Sequence, residues 1–144
     1  MHELEALVAL DRRCFAHAWG DAAWLPELRA GTVFCLGEEG ALVAAACAPI
    51  IVDSCELRRI AVDPQARRQG IGRDLLTFVI EHASAAGCTL LQLEVAASNA
   101  PALALYAAFG FERVGNRPQY YEDPPDDALL LDLYLPTGKQ GNVD

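Results

Sequence analysis

The feature that most constrains this chain is a change of period around Asp63-Pro64. Cys55–Val62 reads as a strand, and Pro64 stops it because proline has no N–H to give to a sheet. The turn Arg67-Arg68-Gln69-Gly70-Ile71-Gly72 follows. From Ile71 onward Leu75, Leu76, Val79, Ile80 and Ala83 fall on one helical face, with Gly87 placed to cap it. Thr89–Ala96 is again a strand. Strand, glycine turn, helix, strand is a βαβ unit, so the two strands are expected to be parallel with a right-handed crossover.

The flanking segments add strands and helices without an internal repeat. Residues 3–18 read as a helix, because Leu4, Leu7, Val8 and Phe15 recur at helical spacing with Glu3, Glu5, Asp11, Arg12 and Arg13 between them. Trp19 to Leu28 leads through a loop into a short second helix that Gly31 closes. Thr32–Gly37 and Ala41–Val52 form a hairpin around Glu38-Glu39-Gly40. Ser98-Asn99 caps a helix with Pro101 in its first turn, which runs to Phe109 and stops at Gly110. Phe111–Arg117 and Ala128–Leu135 are the last strands, joined by a loop over Pro118–Asp127. The expectation is an α/β (α+β) fold with a mixed sheet in a single domain over residues 1–136, then a flexible tail over 137–144.

Charge and composition narrow the function. The 144 residues carry a net charge of −9, which argues against a nucleic-acid binder, since that function needs a basic face. The same field suits a basic partner, or serves solubility alone. No apolar stretch is long enough to span a bilayer and no signal-peptide succession opens the chain, so the sequence reads as a cytoplasmic protein. Cys14, Cys35, Cys47, Cys55 and Cys88 are scattered without a C-x-x-C pair, and His2, His17 and His82 do not cluster. Buried thiols are expected, and no metal site.

The glycine turn has the character of an anion site. Glycines between a strand and a helix let a ligand approach the backbone, and the first helical N–H groups together with the helix dipole favour phosphate. Arg58, Arg59, Arg67, Arg68 and Arg73 concentrate positive charge in this region of an acidic chain. G-x-G by itself arises about once by chance at a glycine frequency of about 7%. Gly-Lys-Ser/Thr is absent, and Leu75 stands where a third glycine of a dinucleotide loop would be. A tight turn with solvated arginines fits the same residues.

Two further side chains stand out against their surroundings. Glu94 shares a strand face with Gln92, while Leu91, Leu93 and Val95 take the other. Tyr106 lies in a helix among Leu103, Leu105 and Phe109. Alone, the first reads as a surface carboxylate and the second as a core aromatic. Beside a phosphate loop they match the needs of amine acylation. A carboxylate accepts the proton of the attacking amine, directly or through a water, and a phenol can supply a proton to the departing thiolate.

From Leu57 to Leu135 the chain resembles the GNAT superfamily of N-acetyltransferases. The resemblance rests on Ile60-Ala61-Val62-Asp63-Pro64, Arg67 to Arg73, Leu93-Glu94-Val95 with Ser98-Asn99, Ala104-Leu105-Tyr106 and Phe109-Gly110-Phe111. Within it the chain is most similar to the RimI-type ribosomal-protein-alanine N-acetyltransferases. Leu93 to Tyr106 follows their L-E-V-x-x-S-N-x-x-A-x-x-L-Y run, Tyr120-Tyr121 precedes the acidic Asp126-Asp127-Ala128, and Trp19 follows Phe15.

That resemblance implies a splayed, mostly antiparallel sheet around the parallel unit, and acetyl-CoA as co-substrate without a metal. It implies that backbone groups of Ile60, Ala61 and Val62 hold the pantetheine and acetyl carbonyl. The pyrophosphate falls to backbone N–H groups of Arg68, Gln69, Gly70, Ile71, Gly72 and Arg73, and Asn99 contacts the cofactor. Glu94 is the implied base and Tyr106 the acid. Tyr120, Tyr121 and the acidic loop help to receive the acceptor, a basic protein N-terminus such as the N-terminal alanine of a small-subunit ribosomal protein. The family's first strand has no counterpart ahead of Glu3, and Ala18 and Gly20 replace its Pro and Ser around the tryptophan. A small-molecule amine or a lysine as acceptor, and a non-catalytic CoA-binding module, are the alternative readings.

Overall fold

The computed structural model describes residues 2–38, 41–122 and 124–136; the expected tail over 137–144 lies outside them. The helices are α1 (His2–Cys14), α2 (Asp21–Ala30), α3 (Ile71–Ala85) and α4 (Ala100–Ala108). The strands are β1 (Val33–Glu38), β2 (Ala41–Cys47), β3 (Ile50–Ile51), β4 (Ser54–Leu57), β5 (Arg59–Val62), β6 (Leu90–Ala96), β7 (Glu112–Glu122) and β8 (Pro125–Tyr134). A single 3-10 turn over Pro64–Ala66 follows β5. The chain forms two compact units: residues up to Pro49 with Arg58–Glu81, and Ile50–Leu57 with the chain from His82 onward.

In the first unit the antiparallel sheet β1-β2-β5 packs with α1 and α2. Leu7, Leu10, Trp24, Ala45 and Cys47 are fully buried at its centre. Each such leucine contributes about 1.5–3 kcal/mol by leaving water. The helix expected over 3–18 ends at Cys14. The cause is Asp11, which is not on a solvated face: its side chain is wholly buried and accepts the Trp19 N–H at 2.6 Å, folding the chain back on itself.

The strand expected over Cys55–Val62 is two strands. Arg58 N–H donates to the Cys47 carbonyl at 2.8 Å, and from Arg59 the chain pairs with β2. Cys55 and its neighbours pair instead with β6. The apolar run Ala41–Val52 is likewise divided, with β3 turning into β4 through Val52 at φ 60°.

The second unit holds the sheet β3-β4-β6-β8-β7. The β4–β6 pair is parallel, as the βαβ reading requires, and the others are antiparallel. Gly87 ends α3, and the Asn99 side chain caps α4 by accepting from Ala102 N–H at 3.2 Å. The loop expected over Pro118–Asp127 is instead the end of a long β7–β8 hairpin. Gln119 takes φ 52° as an irregularity in the ladder and donates its N–H to Asp127 Oδ1 at 2.8 Å. Pairing then resumes at Tyr121 with Asp126.

Candidate active site

The turn before α3 is built from both sides. Asp63 accepts from Gln65 N–H at 2.9 Å and from Arg13 Nε at 3.0 Å. Those bonds, the backbone one first, hold its carboxyl below the usual range. Arg67 adopts extended backbone and folds back, its Nε donating to the Val62 carbonyl at 3.1 Å. Arg68 (φ 68°) and Gly70 (φ 79°) both take the left-handed conformation, which glycine tolerates and arginine does not favour. The first i→i−4 bond of α3 runs from Asp74 N–H to the Gly70 carbonyl at 2.9 Å. The N–H groups of Ile71, Gly72 and Arg73 precede it.

The five-arginine cluster seen in sequence is not one anion site. Arg58 pairs with Glu27 at 2.8 Å, Arg59 pairs with Asp11 at 2.9 Å, and Arg67 is turned onto β5. Arg68 and Arg73 are exposed on the turn itself, beside Gln69. A Cβ added to Gly70 would meet nothing within 4 Å, so the protein leaves room over this backbone. An open glycine, helix-start N–H groups and two exposed arginines fit a pyrophosphate.

β5 is an edge strand of its sheet. Asp63 N–H donates to the Val43 carbonyl at 2.8 Å, which sets the phase of the ladder. Alternation then makes Ala61–Ala45 a hydrogen-bonded pair and turns the backbone groups of Ile60 and Val62 to the open edge. The Val62 carbonyl already accepts from Arg67 Nε and from Cys14 Sγ at 3.2 Å. Of the three residues named from sequence, Ile60 keeps both groups on that edge, Val62 keeps its N–H, and Ala61 is engaged with β2.

In the second unit β6 follows the expected alternation. Leu91, Leu93 and Val95 are buried, while Glu94 is exposed between half-buried Gln92 and Ala96. Arg117 Nη1 lies 3.3 Å from Glu94 Oε2, a partner the sequence did not announce. The Arg117 guanidinium also stands 5.4 Å from the Tyr120 ring centroid. Tyr120 meets Tyr121 edge to face at 5.2 Å. Both tyrosines are in β7, not in a loop.

The acidic residues that follow are engaged, Asp127 by Gln119 within the hairpin and Asp126 by Ser98 ahead of α4. Asp126 accepts from Ser98 Oγ at 2.5 Å and from Ser98 N–H at 3.2 Å, and the Ser98 hydroxyl foremost holds its carboxyl below the usual range. Tyr106 is 5% exposed and packs edge to face on Phe111 at 5.4 Å. Burial pushes its hydroxyl up to about 12, so it keeps its proton across the neutral range. With Asn99 Oδ1 on the α4 cap, its amide nitrogen is the group left to donate. Among the described residues no group of three or more His, Cys, Asp or Glu could hold a metal ion, and no helix is long and apolar enough to cross a membrane.

Comparison with known proteins identifies the family. Residues 4–111 match the Acetyltransferase (GNAT) family. The ribosomal protein bS18-alanine N-acetyltransferase of Escherichia coli (strain K12) is 35% identical over 134 residues, 91% of this chain and 90% of that one. A crystal structure of the ribosomal-protein-S18-alanine N-acetyltransferase from Escherichia coli superposes with a TM-score of 0.86 at 33% identity, covering 94% of this chain and 90% of that one. The crystal structure of the NatC complex bound to Gag peptide and CoA shares the fold, with a TM-score of 0.83 at 19% identity over 94% of this chain and 92% of that one. The chain therefore belongs to the GNAT family of acetyltransferases, as an N-acetyltransferase that uses acetyl-CoA.

Proposed function

We propose that this enzyme acetylates the N-terminal amine of a protein, the N-terminal alanine of a small-subunit ribosomal protein, in the cytoplasm. The observation that carries the acceptor class is the 35% identity to the E. coli enzyme named for that reaction, over nine-tenths of both chains. The net charge of −9 supports it, since an acidic surface draws in a basic partner. We infer the same single domain over 1–136 that the sequence suggests.

Acetyl-CoA supplies an acetyl group already activated as a thioester. The N–H groups from Arg68 through Gln69, Gly70, Ile71 and Gly72 to Arg73 bind its pyrophosphate. The open-edge groups of Ile60 and Val62 orient its pantetheine arm, and the Asn99 amide donates to it. Glu94 accepts the proton of the attacking amine, directly or through a water. An N-terminal amine, with a reference pKa of about 8, needs only such a modest base. Tyr106 is the acid: its hydroxyl, which burial keeps protonated, gives its proton to the departing thiolate, which leaves as the thiol. Tyr120 and Tyr121 line the approach of the peptide.

The test is acetylation of two peptides, one with a free N-terminal alanine and one with a blocked N-terminus and an internal lysine. Acetylation of the first alone supports this reading. Acetylation of free small amines with neither peptide modified would replace it.

A further inference from the structure

Arg117 has no role in the reaction drawn above, yet its side chain meets Glu94. The register explains how it gets there. Glu94 on β6 stands opposite Leu130 on β8, and Leu130 stands opposite Gly115 on β7. Residues directly opposite share a face, and so do residues two apart on one strand. Glu94, Leu130, Gly115 and Arg117 therefore share one face of the sheet. Gly115 has no side chain there, and Leu130 leans over it: a Cβ at Gly115 would lie 2.8 Å from Leu130 Cδ1. Arg117 then reaches diagonally across β8 to the carboxylate.

The contact is of a kind that opens readily. It is a single approach at 3.3 Å, with the Arg117 side chain 54% exposed and that of Glu94 37% exposed. Exposed pairs of this sort hold weakly because water solvates both partners well. Arg117 also has a second resting place beside it, the face of Tyr120, where a cation is attracted by the ring.

We propose that Arg117 is a built-in competitor of the acceptor: its guanidinium occupies on Glu94 the place of the incoming ammonium, and moves toward Tyr120 when the amine arrives. The proposal rests on Glu94 being the base. It makes Arg117 a specificity-determining residue, because only an amine that competes for a carboxylate gains access to it.

The experiment is steady-state kinetics with an alanine-terminated peptide at saturating acetyl-CoA. It compares wild type, Arg117→Gln, Arg117→Lys, Glu94→Gln and the Glu94→Gln/Arg117→Gln pair, each checked by thermal melting for an intact fold. Arg117→Gln should lower the acceptor KM by roughly two- to five-fold, the scale of an exposed ion pair, and move kcat less. Arg117→Lys, which keeps a cation, should stay near the wild-type KM. In the Glu94→Gln background the Arg117→Gln effect on KM should vanish. A raised KM, a kcat loss matching that of Glu94→Gln, or an equal KM shift in both backgrounds would overturn the proposal while leaving Glu94 as base. Wild-type turnover in Glu94→Gln would instead overturn the base assignment, and the proposal with it.

Discussion

Arg59 grips the buried carboxylate of Asp11 with two donors, Nε to Oδ1 at 2.9 Å and Nη2 to Oδ2 at 3.1 Å. The same guanidinium lies 3.8 Å over the Phe15 ring and donates to the His17 carbonyl at 3.1 Å. One side chain on β5 thus organises the segment between α1 and α2. Removing one partner leaves the other charge buried and uncompensated, at a cost of about 3–5 kcal/mol. Asp11→Ala should lose about that much in urea unfolding. The double variant Asp11→Leu/Arg59→Met should lose less than Asp11→Ala, because no charge is left behind. A loss in the double variant equal to or larger than that of Asp11→Ala would show that the pair is not coupled.

Val52 turns the β3–β4 hairpin at φ 60° while 94% exposed. A β-branched residue is strained there, by about 1–2 kcal/mol, and its side chain buries nothing in return. Val52→Gly should raise the stability of the protein by about 1 kcal/mol. A fall in the urea midpoint would contradict the backbone assignment.

Gly70 tests the cofactor turn. Its left-handed backbone makes Gly70→Ala cost about 1 kcal/mol in stability, and no protein atom stands in the way of the new methyl. The acetyl-CoA KM should nevertheless rise by about ten-fold or more, since the methyl enters the approach to the backbone. A variant with the stability loss and an unchanged KM would remove the turn from the site.

Much of the candidate site was legible because its signals are local. The proline stop, the glycine turn and the apolar face of α3 each lie within a few residues. The exposure of Glu94 follows from alternation in one strand. Asp11, Arg59 and Arg117 were not legible for the opposite reason. Asp11 looked like one more polar residue on an amphipathic helix, and only a partner 48 positions away reveals it as buried. Arg117 meets Glu94 through a register across β8 that no periodicity encodes. The break at Arg58 is a backbone event, a bond to Cys47, in a run whose side chains still read as one strand. The β7–β8 hairpin was read as a loop because Pro118 and the acidic residues resemble turn composition, whereas Gln119 at φ 52° lets the ladder resume.

Burial also fixes an alkaline limit. It pushes Cys47 and Tyr106 up to about 12, and Cys35 and Cys55 up to about 11. Folding favours the protonated forms, so their contribution to stability is complete below the unfolded values, about 8.5 for a thiol and 10 for a phenol. It is lost as pH rises from there toward 12. Melting temperature should therefore fall steadily above about pH 9. The native thiols should also react slowly with a disulfide reagent at pH 8, with all five reacting after denaturation. Rapid titration of five thiols in the folded protein would contradict this.

The most direct measurement is mass spectrometry of a peptide copying the N-terminus of the host's ribosomal protein bS18, after incubation with acetyl-CoA and either wild type or Glu94→Gln. The account predicts one acetyl group on the N-terminal amine with wild type and a rate lower by about 10²-fold with Glu94→Gln. An unmodified peptide with acetyl-CoA bound, or equal rates for the two proteins, would contradict it.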